Sequence, residues 1–329
     1  MPIVGHKKQI NYLNNILKNK EQMPHAFLFV GPDKIGKKTI ALEFIRSIQC
    51  EKSEGLGKHC NECMACDQQD RVSADFLLIE PDRTEKGDLK EIGISKIRSL
   101  IDFAGDRPVS NPFKIAIIDE AHNMTQEAQN ALLKVLEEPK GDKVIFLVSS
   151  RVENFLDTIL SRVYSIKFNF ASDEEISKVL DAMPLKYIQN LKDILGIAGL
   201  RPGLVYDLSQ KEELIKKYGK IIDDFFDFAK ADLNDRFNYI EKCNQLKDFD
   251  IRKLLDSWIM ILRFALFQKS QIYDLIDDSK MKKRLAEYSE KRTIKNISGS
   301  LCLAQEIYFL GKSTNINQRL AFEMLALAL

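Results

Sequence analysis

The sequence carries almost no excess of charge of either sign: 49 lysines and arginines against 48 aspartates and glutamates leave a formal net charge of +1 over 329 residues. A stand-alone nucleic-acid binder carries a strong basic excess, so any contact with DNA is expected to be shared with partners or confined to a small patch. The opening MPIVGHKKQI has no charged-then-apolar leader, and no apolar run approaches the roughly 18 residues that span a bilayer. A cytoplasmic chain that avoids the membrane is therefore expected. Repeats and low-complexity tracts are missing too, and 45% hydrophobic with 29% charged residues excludes the composition of disorder. Cysteine is scarce and unevenly spread. Four of the six lie between positions 50 and 66, unlike a disulfide scaffold, while Cys243 and Cys302 stand alone on helical patterns and read as small buried hydrophobes.

The length predicts two or three domains. In the first half, short apolar runs alternate with helical patterns: AFLFV (26 to 30), FLLIE (76 to 80), KIAIIDE (114 to 120) and KVIFLVSS (143 to 150). Such runs predict a buried parallel sheet flanked by helices, over residues 1–170. Ser172 with Glu175 forms a capping box that opens a helix through Met183. Further helices reach Gly199 and break at Pro202 and Gly203, a small helical module over 171–209. Residues 210–329 are nearly all helix-periodic and predict a third, all-α domain. Its last stretch, NINQRLAFEMLALAL, is apolar on so much of its circumference that other helices must cover it, its own or a partner's.

Chemistry enters after AFLFV. Gly31-Pro32-Asp33-Lys34-Ile35-Gly36-Lys37-Lys38-Thr39 matches GxxxxGK between a strand and a helix. Backbone N–H groups and a helix N-terminus surround phosphates in such a loop, and Lys37 reaches the outer ones. The next residue should offer a hydroxyl to magnesium, but it is Lys38, and Thr39 points about 100° away around the helix. Weak or metal-poor nucleotide binding, with slow or absent hydrolysis, is the expectation; ATP with magnesium is not expected as a working cofactor. Asp119 and Glu120 follow KIAII. They read either as the magnesium-steadying and water-polarising carboxylates of an ATPase or as a strand-end cap and charge network. His122 reads as a structural hydrogen-bonding residue.

Cys50, Cys60, Cys63 and Cys66 are separated by nine, two and two residues. Two C-x2-C steps aim thiolates at one ion and Cys50 closes the shell, so a structural Zn2+ without an open position is expected, with His59 a bystander.

These residues resemble the bacterial clamp-loader subunits of the AAA+ class. The resemblance runs through VGHKKQINYLNNIL, PHAFLFVGP, the four-cysteine insert, IIDEAHNMTQEAQNALLKVLEEP and TILSR, and returns in NINQRLAFEMLALAL. It implies an α/β P-loop AAA+ module with a parallel sheet and zinc insert, a small helical lid domain and an all-α C-terminal collar domain for oligomerisation. Lys38, in place of the family's Thr or Ser, favours the delta-prime branch, a part of the DNA polymerase III holoenzyme without efficient ATPase activity of its own. Arg162 of Ser161-Arg162 is implied as a finger on a neighbour's ATP. Implied partners are the ATPase subunits and a delta-type subunit in a hetero-pentamer, with the sliding clamp and primer-template DNA reached through the complex. A motor subunit of the gamma/tau type is the alternative; Lys38 and the lack of a long extension after Leu329 weigh against it. Gly203 aligns with the family's phosphate-sensing arginine, and Ser149 or Ser150 with its polar sensor. Val163 stands where the family often has cysteine.

Overall fold

A computed structural model of the chain describes residues 3, 5–19, 23–60, 62–63, 66, 74–85, 89–137, 142–172, 175–176, 201–245, 251–271, 279–313 and 317–329. The four apolar runs and one further segment pair into a parallel sheet: β1 (Ala26–Val30), β2 (Phe76–Ile79), β3 (Lys114–Ile118), β4 (Lys143–Ser149) and β5 (Tyr164–Lys167). Their order is β2-β3-β4-β1-β5, with β1 inside the sheet. The fifth strand is not legible as an apolar run. It pairs on one side only, and Ile166 alone of its four residues is buried, as suits an edge strand.

Alternation along each strand divides the core into two layers. Leu28, Val30, Ala116, Ile118, Ile145 and Leu147 share one cluster with Ile97 and Leu100 of α3 (Ile94–Gly105) and with Leu132 and Leu136 of α4 (Gln126–Glu137). Phe27, Phe29, Ile115, Ile117, Val144 and Phe146 join Leu13 of α1 (Lys7–Lys18) and Ile40, Phe44 and Ile48 of α2 (Lys37–Gln49). The rings of Phe27 and Phe146 stack at 5.1 Å, and Phe44 meets both edge-on. Each of these side chains is fully buried, a burial that contributes roughly 1.5–3 kcal/mol apiece. A short α5 (Asp157–Leu160) precedes β5. Because all strands run in parallel, the loops after β1, β3 and β4 leave the same edge of the sheet, where such folds gather function.

The chain separates into two compact units: residues 1–181 with Arg201–Gly203, and residues 182–200 with Leu204–Leu329. The expected boundary at 209/210 is not where these units divide. Residues 177–200, most of the expected helical module, lie outside the described residues. Its capping box is in place, with Ser172 N–H donating to Glu175 Oε2 at 2.9 Å and Glu175 N–H to Ser172 Oγ at 3.3 Å. The helices expected to reach Gly199 and break at Pro202 lie outside the described residues, which resume at Arg201, and Arg201 is not helical. Pro202 opens α6 (Pro202–Gln210), where its missing N–H is one that a first turn leaves unpaired.

The second unit is helical: α7 (Glu212–Lys230), α8 (Leu233–Gln245), α9 (Ile251–Lys269), α10 (Ser279–Glu290), α11 (Ile294–Ser313) and α12 (Gln318–Ala328). Trp258 lies at its centre against Phe225, Phe228 and Phe322. Two arginines satisfy helix-end carbonyls that have no intrahelical partner. Arg236 donates to the oxygens of Phe228, Ala229, Ala231 and Ala326, and Arg292 to those of Ala229 and Leu329. The chain's own helices cover one face of α12, burying Ala321, Phe322, Leu325 and Ala326; Leu320, Met324 and Leu327 on the other face remain exposed. Cys243 is buried as expected. Cys302 is not: it sits on an exposed position of α11.

Candidate functional site: a glycine loop with two lysines, and a four-cysteine cluster

The loop after β1 is shaped by two glycines. At Gly31 (φ +155°) an added Cβ would stand 2.2 Å from the backbone oxygen of Phe168, so no other residue fits without displacing main chain. Gly36 (φ +100°) opens α2 with no side-chain cap, and the first intrahelical bond in that turn runs from Ile40 N–H to Gly36 O. The N–H groups of Lys37, Lys38 and Thr39 thus begin the helix without an intrahelical acceptor. Gly203 N–H donates to Lys34 O at 2.7 Å, and a Cβ at 203 would lie 2.7 Å from that oxygen. Any side chain here, including the arginine that the resemblance to active clamp-loader subunits implies for their counterpart of Gly203, is sterically excluded unless the loop shifts.

The two lysines do different things. Lys37 is buried and folds back, its Nζ donating to Gly31 O at 2.7 Å and Pro32 O at 2.6 Å; burial pulls its pKa down. Lys38 reaches the sheet instead. Ile79 of β2 pairs with Ile118 of β3, so the next residues, Glu80 and Asp119, leave the strands side by side. Lys38 Nζ lies 2.5 Å from Glu80 Oε1 and 3.0 Å from Asp119 Oδ2. Burial works against its charge, but the two carboxylates outweigh that and hold its pKa above the ordinary lysine value. Thr39 is half-buried one position further round the helix. Glu80 was not among the residues expected from sequence; the signal available was its place at the end of FLLIE, beside the strand that ends in Asp119.

Asp119 also accepts the Glu120 N–H at 3.0 Å, making it a strand-end cap and part of a charge network at once. Glu120 sits at φ +50°, and burial, with Asp33 and Asp119 adding to it, pushes its carboxyl up to about 7. Its Oε2 is 3.4 Å from Nε2 of His122, on the short 3-10 turn Ala121–Asn123. Burial, reinforced by Arg151, lowers His122 to about 4, so the ring is neutral at physiological pH and works as a hydrogen-bonding group. Its Nδ1 lies 3.3 Å from Ser149 Oγ. Ser149 is tied into the strand-end turn, donating to Arg151 O and accepting from Arg151 N–H, whereas the buried Ser150 hydroxyl oxygen has no hydrogen-bond partner.

Arg162 lies apart from the loop lysines, on the partly exposed turn between α5 and β5. One guanidinium nitrogen donates to Thr158 O at 2.9 Å and the other stands 3.0 Å from Glu137 Oε1 at the end of α4. Glu137 is a second residue that the sequence did not mark. At this exposure the pair contributes little stability, but it fixes the direction of the guanidinium.

The cysteine cluster assembles as its spacing predicts. Sγ atoms of Cys50, Cys60, Cys63 and Cys66 all lie within 4.8 Å of one another, and none is in a disulfide. Sulfurs around a tetrahedral zinc, at about 2.3 Å from the metal, stand about 3.8 Å apart. Cys50 and Cys60 are at 3.6 Å, Cys60 and Cys66 at 3.9 Å. Backbone N–H groups of Cys60 and Cys63 donate to the sulfurs of Cys50 and Cys60. N–H donors from Glu62 and Cys63 bring the Cys60 thiol down to about 6, and Cys63 is lowered as well, as suits thiolate ligands. His59 turns elsewhere, its Nδ1 3.6 Å from Glu43. The four thiols are a donor set that fits a soft or borderline metal ion.

A parallel sheet of this order, with a GxxxxGK loop after β1, an acidic pair after β3 and helices following, defines a P-loop module of the AAA+ type. The family model described as "DNA polymerase III, delta subunit" matches residues 5–172, half of the chain, and the chain belongs to that family. Among curated relatives, the DNA polymerase III subunit delta' of Pseudomonas aeruginosa is 31% identical over 191 residues, 56% of this chain and 56% of the relative. Subunit delta' of Bacillus subtilis is 32% identical over 209 residues, 62% of this chain and 59% of the relative. Subunit tau of Bacillus subtilis is 27% identical over 311 residues, 88% of this chain and 54% of the relative. The chain thus spans little more than half the length of these relatives. No helix among the described residues is long and apolar enough to cross a membrane.

Proposed function

We propose that the chain is a delta-prime-type subunit of the DNA polymerase III clamp loader. In this reading it joins ATPase subunits and a delta-type subunit in a hetero-pentamer that loads the sliding clamp onto primer-template DNA. Its own ATP turnover is negligible, Arg162 serves ATP held by a neighbour, and Cys50, Cys60, Cys63 and Cys66 hold a structural zinc. Zinc would supply four metal–sulfur bonds that close the segment from 50 to 66, with no position left for chemistry.

The observation that carries the proposal is Lys38 Nζ at 3.0 Å from Asp119 Oδ2. In a working phosphate loop that carboxylate steadies magnesium, and the residue after the loop lysine ligates it through a hydroxyl. Here one residue removes the hydroxyl and places a fixed cation on the carboxylate. The partly exposed Arg162, oriented by Glu137, is disposed to serve a partner rather than its own loop. A guanidinium added to a phosphoryl-transfer site spreads positive charge over the developing negative charge and accelerates the step by roughly 10³ to 10⁵.

The test is a reconstituted loader assayed beside the isolated chain. The isolated chain is expected to turn over ATP far more slowly than about one per second, the lower end of the ordinary enzyme range. Arg162→Ala is expected to slow hydrolysis by roughly 10³ at the one neighbouring site that it serves, read as loss of that site's share of the loader's ATPase. Steady turnover by the isolated chain within the enzyme range sinks the reading and favours a motor subunit. That alternative draws its support from the match to tau over 88% of the chain and from the retained Asp119-Glu120 pair.

A further inference from the structure

Lys38 does more than remove a magnesium ligand, because its own ammonium stands where a cation is needed. We infer that the loop from Gly31 to Thr39 takes a nucleoside diphosphate or triphosphate without a divalent cation, Lys38 acting as the tethered counter-charge in the metal's place. This rests on reading the segment as a phosphate loop, but on neither the assembly nor Arg162.

Three features of the loop point this way. The first turn of α2 has no side-chain cap, and its N–H groups begin a thirteen-residue helix at a glycine in the left-handed region. That end of the helix is competent for an anion. Among the described residues, Lys37 Nζ donates only to the neutral oxygens of Gly31 and Pro32, at 2.7 and 2.6 Å. A phosphate oxygen is a charged and stronger acceptor that would draw it off them.

The third feature is the cation itself. A magnesium ion in such a loop bridges phosphate oxygens to a hydroxyl and to the carboxylate that ends the neighbouring strand. Lys38 already bridges from the loop's helix to that carboxylate, Asp119, and to Glu80 beside it. A magnesium ion arriving there would have to displace Lys38 from both carboxylates and then sit next to an unpaired ammonium. At a few ångströms, two such like charges in a partly buried site repel far more strongly than in bulk water. The residue that stands in for the metal therefore also keeps it out.

Isothermal titration calorimetry of the full chain with ATP and with ADP, once in EDTA and once in excess magnesium, tests this. The expected result is an affinity in EDTA at least equal to that in magnesium. Lys38→Thr, its fold checked by circular dichroism, is expected to reverse the preference, binding about tenfold more tightly with magnesium. If that variant does not fold, the wild-type comparison decides alone. Wild-type binding about tenfold weaker in EDTA overturns the inference, and so does the absence of binding to millimolar ATP and ADP under both conditions. Neither failure touches the Arg162 assay in the assembled loader, and failure of that assay leaves the calorimetry standing.

Discussion

The cysteine cluster and the phosphate loop are both short motifs flanking α2, yet they differ in how far the motif reports the chemistry. In the cluster, spacing and ligand identity agree: four like residues converge, and sulfur separations of 3.6 and 3.9 Å are those a tetrahedral ion requires. In the loop they part company. The backbone half of the motif is intact, with Gly31 and Gly36 shaping the turn, while its metal-binding half is replaced by one lysine paired to Asp119. A loop's shape and its catalytic competence are thus separable. The first depends on where a Cβ cannot go, the second on which single atom meets the ion.

The largest effect that sharpens this contrast belongs to the cluster. Cys63→Ser, or exhaustive chelation, is expected to lower bound zinc from about one ion per chain and to cost several kcal/mol, read as metal content and a fall in Tm. A site found empty in the native protein, with stability unchanged by chelator, removes the cluster's side of the comparison.

Next comes the backbone half of the loop. Gly31→Ala puts a methyl 2.2 Å from Phe168 O, which is main chain and cannot rotate away. A loss of about 3 kcal/mol in denaturant unfolding is expected, although no catalytic group is altered. A neutral outcome means that the loop relaxes and that its shape is not fixed by Gly31.

Glu120 carries the smallest effect. Its folded pKa of about 7 lies above the ordinary carboxylate value of 4.5, so the fold prefers its protonated form. The contribution is fully present below the ordinary value and is lost as pH rises through about 7. Glu120→Gln is expected to flatten Tm against pH across that window, by a few degrees. An unchanged slope shows that Glu120 is solvated and that the charge network around Asp119 is looser than described.

Much of this was legible in the sequence because it rests on local patterns. Four apolar runs gave four strands, the Ser172–Glu175 box formed, and the four cysteines met. The rest depends on tertiary neighbours. The edge strand Tyr164–Lys167 is specified by its pairing to β1 rather than by an apolar run. Glu80 matters because parallel pairing sets it beside Asp119, and Glu137 because α4 ends near Arg162. Asp75 gave no signal at all, yet it is fully buried and accepts the N–H groups of Val109, Ser110 and Asn111, anchoring the loop that leads into β3. Pro202 marked a boundary without saying which side of it is helical, because a proline ends one helix and opens another with equal ease; in the structure it opens α6.

Lys38 holds the carboxylate that a magnesium ion would need. A crystal structure of the chain grown with ATP and magnesium tests it most directly. Lys38 Nζ is expected to stay within hydrogen-bond distance of Asp119, with no metal ion on that carboxylate; magnesium on Asp119, with Lys38 swung away, is the contrary result.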